Sequence, residues 1–179
     1  MNNEYMPFIS EIKEIIKHTD IEYTFRMTYD GDVKPGQFFE VSLPKYGEAP
    51  ISVSGIGEGY VDLTIRRVGK VTNEIFKNYV GDKLFLRGPY GNGFDIENYK
   101  NKEVIVVAGG TGLSPVRGIV EYFSKNTNDC TSMTLITGFK SPEDVLFKED
   151  MKEWEKTMNL ILTVDTAKEG YEGKVGLVT

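Results

Sequence analysis

Val104-Ile-Val-Val-Ala108 is an unbroken apolar run that passes through Gly109-Gly110-Thr111-Gly112 into Leu113-Ser114-Pro115-Val116-Arg117. No other stretch restricts the fold so sharply. The run reads as a strand buried on both faces, the habit of parallel sheets. The glycines remove side chains where the backbone turns sharply and a ligand can approach. Pro115 belongs in the first turn of a helix, where its missing N–H costs nothing. Val116, Ile119, Val120 and Phe123 then share one helix face. Strand, glycine turn and helix N-terminus together cradle an anion, because free amides and the helix dipole both favour negative charge. A dinucleotide is the default ligand. The run departs from G-x-G-x-x-G at its sixth position, Pro115, and the next apolar strand, Met133–Thr137, leads to Gly138-Phe139-Lys140 instead of a ribose-binding acid. A different class of nucleotide site and a structural turn both remain open.

Composition narrows the chemistry. A net charge of −6 and a pI near 5.0 disfavour a nucleic-acid partner. No apolar run reaches the roughly 18 residues of a membrane span, and the N-terminus lacks the form of a secretion signal, so a cytoplasmic protein is expected. Cys130 is the only cysteine and His18 the only histidine. An internal disulfide, a Cys/His zinc site and an iron–sulfur cluster are therefore excluded within these residues, and no metal site is expected. Cys130 reads as a bystander and His18 as a solvated loop residue. Redox or group-transfer chemistry here would rest on a bound cofactor.

Taken in order, Phe8–Ile16, Ile21–Thr28, Phe38–Leu43, Ile51–Ser54, Tyr60–Arg67 and Lys83–Arg87 read as short strands, with a helix over Val71–Tyr79. Such strands without a long helix between them form a small antiparallel barrel. Pro89-Tyr90-Gly91-Asn92-Gly93 is turn-rich and reads as the interdomain link. Beyond it Val104–Ala108, Met133–Thr137 and Leu160–Val164 alternate with helices, the pattern of a parallel sheet. Ser141 with Pro142-Glu143-Asp144 reads as the start of the second of these helices. The expected class is α+β with two domains: an antiparallel Greek-key barrel, residues 1–98, then a parallel α/β nucleotide-binding domain, residues 99–179, which looks truncated after three strands.

A barrel, the link Gly88-Pro89-Tyr90-Gly91-Asn92-Gly93-Phe94 and then Gly109–Pro115, in that order, resemble the ferredoxin–NADP reductase superfamily over nearly the whole chain. Gly47–Ser52 and Arg66–Thr72 resemble one branch of it. That branch holds the B-type electron-transfer subunits of anaerobic sulfite reductases, sulfhydrogenase gamma subunits and dihydroorotate dehydrogenase electron-transfer subunits. Gly36–Pro44 followed by Glu48-Ala49-Pro50 is most similar to the first of these.

The resemblance implies FAD on the barrel and NAD(P)H on the second domain. In the family the Ser of R-x-(Y/F)-S lies near flavin N5, which assigns that catalytic position to Ser52 and the ring-packing position to Ile51. The Arg of the motif falls on Ala49, so Arg66 or Arg67 is expected to supply the missing charge, with Gly69 offering a backbone donor and Thr72 a hydroxyl. Pro50, Ile65 and Val71 complete that set, and Gly91, Asn92, Gly93 and Phe94 border the flavin. Gly109, Gly110, Thr111, Gly112, Pro115, Phe139 and Lys140 are the implied nucleotide contacts. NADH is preferred because no arginine cluster follows the second strand, although Lys140 alone suits a 2′-phosphate. A [2Fe–2S] cluster is expected only in a missing C-terminal segment. The implied partners are other subunits of a redox complex, with iron–sulfur and sirohaem-type sulfite reductase subunits foremost. A hydrogenase or dihydroorotate dehydrogenase complex is the alternative, and a non-catalytic nucleotide-binding module the alternative outside enzymes.

Overall fold

The structure is a computed structural model that describes residues 5–78 and 83–178. Backbone packing divides the chain into two units, Met1–Phe94 and Asp95–Thr179.

The first unit is a closed barrel of β1 (Phe8–Lys17), β2 (Glu22–Thr28), β3 (Phe38–Leu43), β4 (Gly47–Gly57), β5 (Tyr60–Arg66) and β6 (Lys83–Tyr90), in the order β1-β2-β5-β4-β3-β6. Every pairing is antiparallel. Alternation along the strands decides what faces inward. Phe25 and Met27 of β2, Phe39 and Val41 of β3, and Val61, Leu63 and Ile65 of β5 fill the interior. Helix α1 (Lys70–Asn78) packs against β3 and β4 and adds Val71 and Ile75 to that core. The end of its expected range, Tyr79, lies outside the described residues.

The outer face of β2, β4 and β5 carries polar side chains that are nevertheless buried. Ser54 donates to the Asp62 carbonyl at 3.1 Å and accepts from the Thr64 hydroxyl at 2.7 Å. With the Thr64 proton spent, the Thr24 hydroxyl donates to Thr64, and His18 Nε2–H donates to Thr24, each at 2.7 Å. His18 is therefore tied to the sheet, not a free loop residue. Beside this chain, Arg26 grips Asp62 through two bonds of 2.8 and 3.0 Å.

The second unit is a four-stranded parallel sheet, order β10-β9-β8-β7. Its strands are β7 (Glu103–Gly109), β8 (Ser132–Phe139), β9 (Asn159–Val164) and the two-residue β10 (Lys174–Val175), the last not expected from the sequence. Helix α2 (Leu113–Lys125) covers one face through Leu113, Val120 and Phe123. Two expectations need correction. Ile105 and Val107 are 59% and 53% exposed, so β7 is buried on one face only; among the described residues no helix covers the other. Pro142–Asp144 is a single 3₁₀ turn, and helix α3 (Lys148–Trp154) starts only after it. The Ser141 hydroxyl bonds Asp144 at 2.7 Å instead of capping a helix. Val145, Leu146 and Phe147 are drawn into the core, and Phe147 takes a left-handed backbone (φ 54°) ahead of α3.

Candidate functional site

Two places gather the expected residues, one in each unit. In the barrel the β4–β5 ladder runs only as far as Val53 opposite Leu63. Beyond it, Gly47–Ser52 go on pairing with β3 alone, and Thr64–Arg66 with β2 alone. The two strands thus part where Pro50, Ile51 and Ser52 meet the level of Ile65, Arg66 and Arg67. Backbone donors and acceptors on the two parted edges are left without ladder partners. Ile51, Ile65 and Val71 are buried in the core, while Ser52 and Pro50 alternate to the outer face.

The helix that follows β5 begins with a side-chain cap and no acid in its first turn. Thr72, in its first turn, turns its hydroxyl back to accept the amides of Val68 and Gly69 at 3.0 and 2.9 Å and donates to the Gly69 carbonyl at 3.2 Å. The threonine is thus a capping group, and its proton and the Gly69 amide, both expected to face the ligand, are already used. The donors left over are the first-turn amides of Lys70, Val71 and Thr72, which have no intrahelical acceptors. No acid stands in that turn, so the positive end of the helix dipole is uncompensated.

The two arginines of the pair sit in different surroundings. Arg66 lies 3.2 Å from the Glu22 carboxylate, whereas Arg67 is exposed and has no ion pair among the described residues. Next to the parted strands, Arg87 binds Glu48 at 2.6 Å and the Tyr90 hydroxyl at 2.8 Å. The Arg87 bond, helped by Ser42, holds the Glu48 carboxyl below its usual range. Gly91–Phe94 is fastened to the β2–β3 connection: the Gln37 side chain donates to the Gly91 carbonyl at 2.8 Å, and the Phe94 amide to Pro35 at 2.6 Å. The Phe94 ring rests on Gly36, where a Cβ would come within 2.5 Å of it. Asn92 is exposed.

In the second unit Gly110–Gly112 form a 3₁₀ turn directly ahead of α2, whose N-terminus has no side-chain cap and no acid in its first turn. Gly110 needs its glycine, having φ 54°. Gly112 does not: its backbone is ordinary (φ −63°, ψ −14°), and a Cβ placed there would meet no atom within 4 Å. The missing side chain at Gly112 leaves open space over the turn, which suits a closely approaching phosphate. Pro115 falls in the first turn of α2 and Thr111 is half-buried.

At the end of β8, Phe139 is core, and its carbonyl accepts the Asp165 amide at 2.9 Å. Lys140 is exposed, and its carbonyl is held by the Thr166 amide at 3.0 Å. The sequence reading passed over two hydroxyls beside this turn. Ser114 and Thr137 are 3% and 0% exposed, and neither side-chain oxygen has a hydrogen-bond partner among the described residues. Ser114 lies inside the glycine–proline run itself, which was the available signal; Thr137 is marked out only by the register of β8.

Among the described residues no three His, Cys, Asp or Glu cluster to hold a metal ion, and no helix is long and apolar enough to cross a membrane. Burial pushes the Cys130 thiol above its ordinary range.

Residues 106–179 match the oxidoreductase NAD-binding domain family. The chain is 34% identical over 157 residues to sulfhydrogenase 2 subunit gamma of Pyrococcus furiosus, covering 83% of this chain and 54% of that protein. It is 35% identical over 167 residues to a probable dihydroorotate dehydrogenase B (NAD(+)) electron transfer subunit of Methanocaldococcus jannaschii, covering 93% of this chain and 60% of the other. The chain thus spans little more than half the length of these relatives. Among solved structures, an NADH-dependent reduced ferredoxin–NADP oxidoreductase aligns over 99% of this chain and 62% of its own, with 25% identity and a TM-score of 0.77. The ferredoxin reductase of carbazole 1,9a-dioxygenase shares the fold, with a TM-score of 0.82 at 21% identity over 96% of this chain and 54% of its own.

Proposed function

We propose that this chain, a member of the ferredoxin–NADP reductase-like superfamily with an oxidoreductase NAD-binding domain as its second unit, is the electron-entry part of a larger redox assembly, with FAD on the barrel and NAD(P)H on the second unit. Bound there, FAD would supply hydride acceptance from reduced nicotinamide and one-electron release to a further carrier.

The chain's own residues bind and orient. First-turn amides of α1 and the side chain of Arg67 hold the diphosphate, Arg67 taking the place of the charge lost at Ala49. Arg66 lies 3.2 Å from the Glu22 carboxylate, but its buried Nε makes no hydrogen bond, so it stands beside Arg67 as a second source of that charge. Ser52 offers a hydroxyl at the ring edge, and the parted ends of β4 and β5 offer backbone groups to the rest of that edge. In the second unit the turn Gly109–Gly112 and the uncapped end of α2 receive the nucleotide phosphates, and Lys140 stands at the ribose end. Gly112 carries this half of the proposal, because nothing in the fold itself requires a glycine there.

The name of the dihydroorotate dehydrogenase relative, which includes NAD(+), supports NADH over NADPH, and the two relatives' names together support an acceptor of hydrogenase or dihydroorotate dehydrogenase type. Sulfite reduction rests only on the resemblance of Gly36–Pro44. A [2Fe–2S] centre would lie outside these residues, since Cys130 is their only cysteine.

The test is anaerobic addition of NADH to flavin-reconstituted protein while the flavin absorbance is followed. Bleaching supports the proposal; failure to take up flavin, or a bound flavin that NADH does not reduce at any concentration, refutes it.

A further inference from the structure

The link Gly91–Phe94 is pinned at both ends and unheld in the middle. The Gln37 side chain donates to the Gly91 carbonyl, and the Phe94 amide donates to the Pro35 carbonyl. Between these points Asn92 is exposed, and among the described residues neither its side chain nor the Gly93 amide has a hydrogen-bond partner. Gly93 is demanded by the fold. Its backbone is left-handed (φ 68°), and a Cβ there would come within 2.8 Å of the Lys34 Cβ and 3.0 Å of the Pro35 carbonyl oxygen. No side chain at Gly93 therefore shields its nitrogen from the Asn92 amide beside it. Asn92 is also the only asparagine of the sequence that is followed by glycine.

We propose that Asn92 is a site of spontaneous covalent modification, at which the folded chain converts the asparagine to aspartate and isoaspartate. The Gly93 nitrogen gives up its proton to solvent base and attacks the side-chain carbonyl carbon of Asn92. A carbon–nitrogen bond forms, ammonia leaves, and a succinimide ring closes. Water then opens the ring at either carbonyl. One opening leaves aspartate in the ordinary main chain; the other routes the main chain through the former side chain as isoaspartate. Water is the only co-reactant, and nothing is oxidised or reduced. Both products place a negative charge on the link, and isoaspartate also lengthens its main chain. A lengthened link no longer fits between the two pinned points, so the Phe94 ring leaves its seat on Gly36. Where the link borders a flavin, as proposed above, modification should also weaken flavin retention. The chemistry at Asn92 does not rest on that reading.

The experiment ages the folded 179-residue chain at neutral and mildly alkaline pH and follows every asparagine by peptide mass mapping. The peptide holding Asn92 should gain the mass of an amide-to-acid exchange about tenfold or more faster than any other asparagine peptide. The gain should quicken at the higher pH, where more of the Gly93 amide is deprotonated. Asn92→Gln, whose side chain is too long to close the same ring, should abolish it. Asp30-Gly31 can form that ring as well, but by loss of water, so its product shows no mass change. Methylation specific for isoaspartate should label the Asn92 peptide of the aged chain. A protease should cut the aged link about tenfold or more faster than the fresh one, because Phe94 no longer holds it. Equal rates at Asn92 and at the other asparagines, or conversion only after the chain is unfolded in denaturant, overturns the proposal. A converted link that resists protease as well as a fresh one overturns the unseating of Phe94. None of these readouts uses flavin, so a failure of the flavin reading and a failure at Asn92 are told apart.

Discussion

In the barrel every strand has a hydrogen-bonded neighbour on both sides, β6 returning to β1, whereas in the second unit β7 has, among the described residues, a neighbour on one side only. The barrel is also the unit whose buried hydroxyls are linked, Thr24 to Thr64 to Ser54, while Ser114 and Thr137 in the second unit are buried without partners among the described residues. The difference shows where each unit is constrained by its own fold and where it is open to something else. Closure satisfies the backbone except where β4 and β5 part, and lets a polar outer face knit itself together. Among the described residues the second unit's sheet shows an edge, an apolar face and two unpartnered hydroxyls beside a turn that has room for a ligand.

The largest expected effect separates the two kinds of apolar surface. Phe25→Ala in the closed core should cost about 3–5 kcal/mol of stability, while Ile105→Ala should stay within about 0.5 kcal/mol. Chemical denaturation of the two variants decides it; equal losses would mean that the face of β7 is not open.

Hydroxyl removal should have opposite signs in the two units. Thr64→Val strands the donor of Thr24 and the acceptor of Ser54 and should destabilise by about 1–3 kcal/mol. Thr137→Val removes a hydroxyl that bonds nothing and should be neutral or stabilise by about 1 kcal/mol. Should Thr137→Val destabilise as much as Thr64→Val, that hydroxyl has a partner.

The glycine turn separates conformation from ligand. Gly110→Ala forces a left-handed backbone onto a side chain and should cost about 1–2 kcal/mol whether or not nucleotide is present. A Cβ at Gly112 meets no atom within 4 Å, so in Gly112→Val flavin content should be unchanged while NADH affinity falls by about tenfold or more. A Gly112→Val protein that binds NADH normally would reduce the turn to a structural one.

The smallest effect is one of pH. Glu48 in the barrel, bound by Arg87 and then Ser42, and Asp129 in the second unit, bound by the Tyr122 hydroxyl and then Lys100, both titrate below the usual carboxylate range. A lowered carboxyl stabilises the fold above its unfolded pKa, and that contribution is lost as pH falls through the folded value. Both units should therefore weaken slightly below the ordinary carboxylate range. Glu48→Gln and Asp129→Asn should flatten the acid limb of a thermal-melt series; an unchanged limb would show the bonds to be inconsequential.

Local sequence determined a good deal. Short alternating strands, the turn ahead of Phe38 and the alternation after Gly88 are written in neighbouring residues, because side-chain period and glycine or proline chemistry act over a few positions. Gly109–Pro115 likewise announces a strand, a turn and a helix start by itself. Tertiary structure alone decided the rest. Whether Arg66 or Arg67 is available depends on Glu22 in another strand. Whether Thr72 faces a ligand or caps its own helix depends on where its hydroxyl turns. The parting of β4 from β5 is a matter of register, which no single strand encodes. Val145–Phe147 left the helix that Pro142 seemed to begin because the core offered their side chains more than a continued helix did. β7 kept one face open because burial is a property of what packs against a strand. The strand's own apolar run is the same whether that face is covered or bare.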